Sequence, residues 1–160
     1  MNRLIWLIWL ALLGCSSSPA QVAGDYSIGL TDEDNGCMFA NWTAGTMTSG
    51  ITMTVTQQSA DATAVVTGGG SELVLDAVFG ANTFTGSVDG DAIDLTLDGT
   101  NSNTTGNCTY TYNGVITATL ATDTFTGKIT YTGATNNNSD CATIQGCVSY
   151  QNFDGSRPPQ

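Results

Sequence analysis

Three groups of residues in this chain have types that could do chemistry. Asp89, Asp91 and Asp94 cluster, and a pair of carboxylates is the minimum equipment for hydrolysing a glycosidic bond. However, Asp89-Gly90-Asp91 reads as a hairpin turn, where Asp is a turn former, and Asp94 alternates away from Ile93 and Leu95 toward water. Turn geometry accounts for this cluster without catalysis. Asp32-Glu33-Asp34-Asn35 offers the oxygen ligands that Ca2+ prefers, but Gly36 falls where a third ligand should stand. It reads as a solvated turn. The chain has no His, which removes Ser–His and Cys–His nucleophiles and every His-ligated metal. Gly68-Gly69-Gly70 lacks the Gly-Lys-Ser/Thr of a phosphate loop. The expectation is a non-enzymatic protein with no catalytic residues, no cofactor and no metal.

The third group is the cysteines, Cys15, Cys37, Cys108, Cys141 and Cys147. Residues 1–14 form a short leader with Arg3 followed by an apolar run, Leu4 to Leu13. Ten residues are too few to cross a bilayer as a helix, which takes about 20, so the segment reads as a signal peptide. Its end, Leu12-Leu13-Gly14-Cys15, resembles the lipobox of bacterial lipoproteins. That resemblance implies cleavage before Cys15, a diacylglyceryl group on its thiol and an acylated new amino terminus. It also implies a membrane as partner and the bacterial cell envelope as location. Ser16 in the next position, rather than Asp, points to the outer membrane, facing the periplasm or the exterior. Each buried CH2 of such an anchor contributes about 0.8 kcal/mol.

An odd cysteine count in an exported chain leaves one thiol to explain. Lipidation uses Cys15, and Cys37, Cys108, Cys141 and Cys147 remain as two disulfides in an oxidising compartment. Three connectivities are possible. Cys37 and Cys108 both border long loops and Cys141 and Cys147 are near in sequence, so the expected pairs are Cys37–Cys108 and Cys141–Cys147.

These residues must be positioned by strands. Charged residues are only 11% of the chain, and Thr, Asn and Gly dominate its polar part, a vocabulary of strands and turns. Ile51 to Thr56, Ile93 to Leu97 and Val115 to Leu120 each set apolar residues against Thr or Asp at period two. Thr83-Phe84-Thr85-Gly86 recurs as Thr124-Phe125-Thr126-Gly127, and the alignment matches Val74 with Val115 and Ala77 with Ala118. Both copies, 74–88 and 115–131, therefore read as hairpins. On this reading Leu73 to Phe79 is a strand, and Asn113-Gly114 is a turn separating Cys108–Tyr112 from Val115–Leu120. The fold class is all-β: nine or ten antiparallel strands in an up-and-down meander closing as a small barrel, with a two-sheet sandwich as the alternative. The domain plan is leader 1–14, lipidated tether 15–23, barrel 24–153 and tail 154–160.

Gly24-Asp25-Tyr26, the meander and a late Arg157 resemble the calycins, the lipocalin and avidin type of small barrel. In lipocalins a late Arg packs across the aromatic residue that opens the first strand, so the resemblance implies Arg157 over Tyr26. Beyond the leader only Lys128 and Arg157 oppose all 14 acids. Such a surface repels phosphate backbones and argues against nucleic acid as a partner. Recurrent Thr-x-Thr pairs are read as the wet sides of strands. Tyr26, Tyr110, Tyr112, Phe125, Tyr131 and Tyr150 fall mostly in the apolar register. They are the candidate lining of an interior pocket for a small apolar ligand, against the alternative that their rings fill the core of a structural lipoprotein.

Overall fold

The computed structural model describes residues 18–68 and 70–159; the leader and Cys15 lie outside the described residues. The chain is a closed antiparallel β-barrel of eight strands with one additional short strand. The barrel strands are β1 Gly24–Asn35, β2 Met47–Gln58, β3 Asp61–Thr67, β4 Thr83–Asp89, β5 Ala92–Leu97, β7 Cys108–Ala121, β8 Thr124–Thr135 and β9 Val148–Ser156. The extra strand, β6 Asn103–Thr105, pairs only with the start of β7. Each barrel strand pairs with its successor, β5 with β7, and β9 returns to β1 to close the ring. Closure leaves no free edge along the barrel wall. The sandwich alternative is thereby set aside.

Period-two burial builds the interior. In β5, Ile93, Leu95 and Leu97 are buried while Ala92, Asp94 and Thr96 face water. The hairpin read over 115–131 is present as β7 and β8, whose register runs unbroken from Tyr110–Thr135 to Ala121–Thr124. Asn113-Gly114 is not a turn, because β7 passes straight through it. A Cβ on the buried Gly114 would stand 3.1 Å from a ring carbon of Phe84. The glycine serves close packing across the barrel, and the side chain of Asn113 accepts a hydrogen bond from the Gly99 amide, 3.0 Å. One long strand can thus pair with β6 near its start and with β5 near its end.

The first copy of the repeat does not form a hairpin. Residues Ser71–Phe79 form the helix α1. Leu73, Leu75, Ala77 and Phe79 alternate like a strand, but Leu75 and Phe79 are also four apart and both are buried on one helical face. Gly70 and Gly80 flank the helix in left-handed backbone (φ 77° and 72°), and the Gly80 amide donates to the Asp76 carbonyl in a C-terminal cap. The Asp32-Glu33-Asp34-Asn35 segment also departs from the expected turn. Strand β1 continues to Asn35 because its polar side chains find partners: Asp32 on Gln151, Glu33 on Asn152 and Asn35 on Ser149 and Phe39.

The two ends of the barrel differ. One carries short turns between β2 and β3, β4 and β5, and β7 and β8. It is closed by the incoming chain, where Val22 is fully buried and the Ala20 amide donates to the Gly90 carbonyl, 2.8 Å. The opposite end carries the long β1–β2 loop, α1, and the loops around β6 and between β8 and β9. The domain limits shift accordingly: part of the expected tether belongs to the barrel, and so does the start of the expected tail, since β9 runs to Ser156 and Arg157 is buried.

Disulfides Cys37–Cys147 and Cys108–Cys141 both lie at the long-loop end. All four expected cysteines are paired, but both expected pairings are wrong. Cys37 meets Cys147 because β1 and β9 are neighbours, a closure that strand counting along the chain does not reveal. Cys108 begins β7 and meets Cys141 in a short 3-10 turn after β8, the strand paired with β7.

Candidate functional site

The six aromatic candidates do not share one site. Tyr26 and Phe125 pack together at the short-turn end, ring centroids 4.3 Å apart, and fill it. The Tyr26 hydroxyl donates to the Val22 carbonyl, 2.9 Å. Burial, with Asp123 adding to it, pushes the Tyr26 phenol up to about 12, although Arg157 opposes the shift. The Arg157 guanidinium lies 5.5 Å from the Tyr26 ring centroid. It donates to Asp123 at 3.0 Å and to the Ala23 carbonyl at 2.6 Å. Tyr150 is on the outer wall, where the Lys128 ammonium sits 5.2 Å above its ring, so it lines no interior space.

The remaining tyrosines lie at the long-loop end. Phe39 and Trp42, carried by the loop after β1, join Phe79 of α1, Tyr112 of β7 and Tyr131 of β8 in a contiguous aromatic plug. Phe39 is 4.7 Å from Tyr112 and Phe79 is 5.3 Å from Tyr131. Tyr110 packs edge-on against Tyr112 outside this plug. The Asn35 side chain holds the loop by bonding both the amide and the carbonyl of Phe39, and the Trp42 indole donates to the Glu33 carbonyl, 2.9 Å. Burial raises the Tyr112 phenol, with Tyr110 adding to it.

Beside the plug, the barrel is not filled. A cavity of ≈ 340 Å³ lies between α1 and the inner faces of β1 and β2. Its floor includes the buried Phe84, Ile116 and Phe153, and its mouth includes the exposed Thr48, Gly70 and Val74. Helix α1 creates the opening, because a strand continuing from β3 would have run on along the wall. The volume lies at the small end of the range for ligand pockets, about 300–1,000 Å³. Of the six aromatic candidates only Tyr131 lines this cavity.

Of the polar side chains that meet at the cavity, Tyr131 is a candidate from the sequence and Gln151 and Asp32 are not. The Tyr131 hydroxyl donates to Gln151 Oε1, 2.8 Å, and Gln151 Nε2 donates to Asp32 Oδ1, 2.6 Å. Asp32 is 8% exposed, and the three residues form a relay from the cavity to a buried carboxylate. Burial pushes the Tyr131 phenol far above its usual range, with Asp32 adding to the shift. The alternation of Tyr26, Ile28 and Leu30 places Asp32 on the inner face, and that of Phe153 does the same for Gln151. That register was the available signal, and Asp32 was assigned to a turn instead.

No family model, no curated protein and no solved structure matches the chain. Among the described residues no group of His, Cys, Asp or Glu is arranged to hold a metal ion. The carboxylates Asp89, Asp91 and Asp94 are all exposed, around the β4–β5 turn and on the outer face of β5.

Proposed function

We propose that this protein is a non-enzymatic binding module that takes a small apolar ligand into its barrel and is held on a membrane of the bacterial cell envelope by a lipid on Cys15. The cavity beside α1 carries the binding half of this reading: its lining is apolar apart from a few polar side chains, the usual composition of a small-ligand site. The anchor half is supported by Leu12-Leu13-Gly14-Cys15 and Ser16. The acidic surface disfavours both nucleic acid and anionic lipid headgroups as partners, which leaves acyl chains as the means of holding the protein at a membrane.

Titration with Nile red, a neutral apolar fluorophore, tests the cavity. A saturable signal at one molecule per chain is expected. Met53→Trp and Val66→Phe, which fill the cavity from two different strands, each weaken it while the thermal midpoint shows that the variant still folds. A signal that never saturates, or that survives both substitutions, returns the protein to a structural lipoprotein with a filled interior. Intact mass tests the anchor: the mature chain begins at a multiply acylated Cys15, and Cys15→Ser releases the protein from membranes.

A further inference from the structure

The relay of Tyr131, Gln151 and Asp32 fixes the direction of the two hydrogen bonds within it. An ionised carboxylate only accepts, so Asp32 requires the amide nitrogen of Gln151. With one Nε2 hydrogen directed there, Oε1 is the atom turned to Tyr131, and it takes the single phenolic proton. What Tyr131 keeps for a guest is acceptor capacity alone. Ser71 at the mouth is in the same position, because its hydroxyl donates to the Gly68 carbonyl at 2.6 Å. Among the described residues no Lys or Arg lines the cavity, and Glu72 sits in the first turn of α1, where its charge answers the positive end of the helix.

Resting on the cavity reading above, we propose that the site selects apolar molecules whose polar group is a hydrogen-bond donor, a hydroxyl or an amine, and rejects carboxylates. An alcohol or amine completes the acceptor valence of Tyr131. A carboxylate brings acceptors to acceptors and negative charge toward Asp32, and gives up its hydration without a replacement.

Displacement of Nile red from the full chain at neutral pH by decanol, decylamine and decanoate, which share one alkyl length, provides the test. Decanol and decylamine are expected to displace the probe at concentrations about tenfold or more below decanoate. Tyr131→Phe removes the acceptor and is expected to collapse the difference by weakening the alcohol and amine. Asp32→Asn keeps the shape of the side chain but can donate to Gln151 Oε1. Gln151 then turns Nε2 to Tyr131, the phenolic proton becomes available to the cavity, and decanoate gains. Decanoate displacing as well as decanol from the unaltered chain, or both folded variants keeping the original preference, overturns the selectivity while leaving the cavity in place. Nile red that fails to saturate overturns the cavity and the selectivity together.

Discussion

Arg157 lies across the ring of Tyr26, its guanidinium carbon 5.5 Å from the ring centroid, and so ties the last turn of the chain to the first strand. Residues 131 positions apart in sequence seal one end of the barrel through this contact, the Asp123 ion pair and the Ala23 carbonyl. The guanidinium is almost fully enclosed and needs all three partners.

Replacing Arg157 with Ala is expected to cost about 2–4 kcal/mol, from lost stacking on Tyr26, the lost charge-assisted bond to Asp123 and the lost bond to the Ala23 carbonyl. Arg157→Lys recovers only part of this, since an ammonium cannot both stack on the ring and fork to two acceptors. Urea denaturation measures the difference, and an unchanged midpoint for Arg157→Ala would contradict this account of the seal.

Stability is expected to fall in strongly alkaline solution. Tyr26 ionises near pH 10 when unfolded but only at about 12 in the barrel, so between these values the unfolded chain holds fewer protons and is favoured as pH rises. Tyr131 and Tyr112 shift in the same direction and add to the effect. The tyrosinate absorbance of Tyr26, Tyr112 and Tyr131, isolated by comparison with their Phe variants, should rise late, together with loss of the barrel by circular dichroism. Early titration of Tyr26, Tyr112 and Tyr131 with the fold intact would argue against the burial described.

The disulfides should contribute unequally. Cys37–Cys147 spans 110 residues and Cys108–Cys141 spans 33, and loop-closure entropy gives about 4.8 and about 3.7 kcal/mol respectively. Paired Ala substitutions, compared by denaturation, should rank in that order. Non-reducing peptide maps should recover these two linkages and neither Cys37–Cys108 nor Cys141–Cys147.

Gly80→Ala should destabilise the helical side of the cavity by more than about 1 kcal/mol. The residue holds φ 72°, and an added Cβ would stand 2.8 Å from the Asn101 amide nitrogen. Hydrogen exchange should show earlier opening in α1 than in β7. Uniform protection in the variant would show that the cap is not what holds the helix.

The barrel was legible because alternation repeats strand after strand: the register of Ile93, Leu95 and Leu97 needs no tertiary information. Residues 71–79 misled because their apolar positions satisfy two periods at once. The choice was made by the glycines at either end and by the 99–101 loop, whose Thr100 and Asn101 amides bond the Phe79 carbonyl. Asn113-Gly114 misled for the opposite reason, a strong local turn signal overridden by packing against Phe84. The site was least legible because its polar members, Asp32 and Gln151, became a pair only when β9 closed on β1.

The placement of α1 opposite the incoming chain gives the molecule a polarity. Ala20 and Val22 enter at the short-turn end, while Thr48, Gly70 and Val74 frame the opening at the other. With acyl chains on Cys15, five residues of leash span at most about 17 Å, so the barrel would stand with its base to the bilayer and its doorway to the solvent. Cargo would then arrive from across an aqueous gap, delivered by a carrier or shed from an opposing surface, instead of being drawn out of the leaflet that holds the protein.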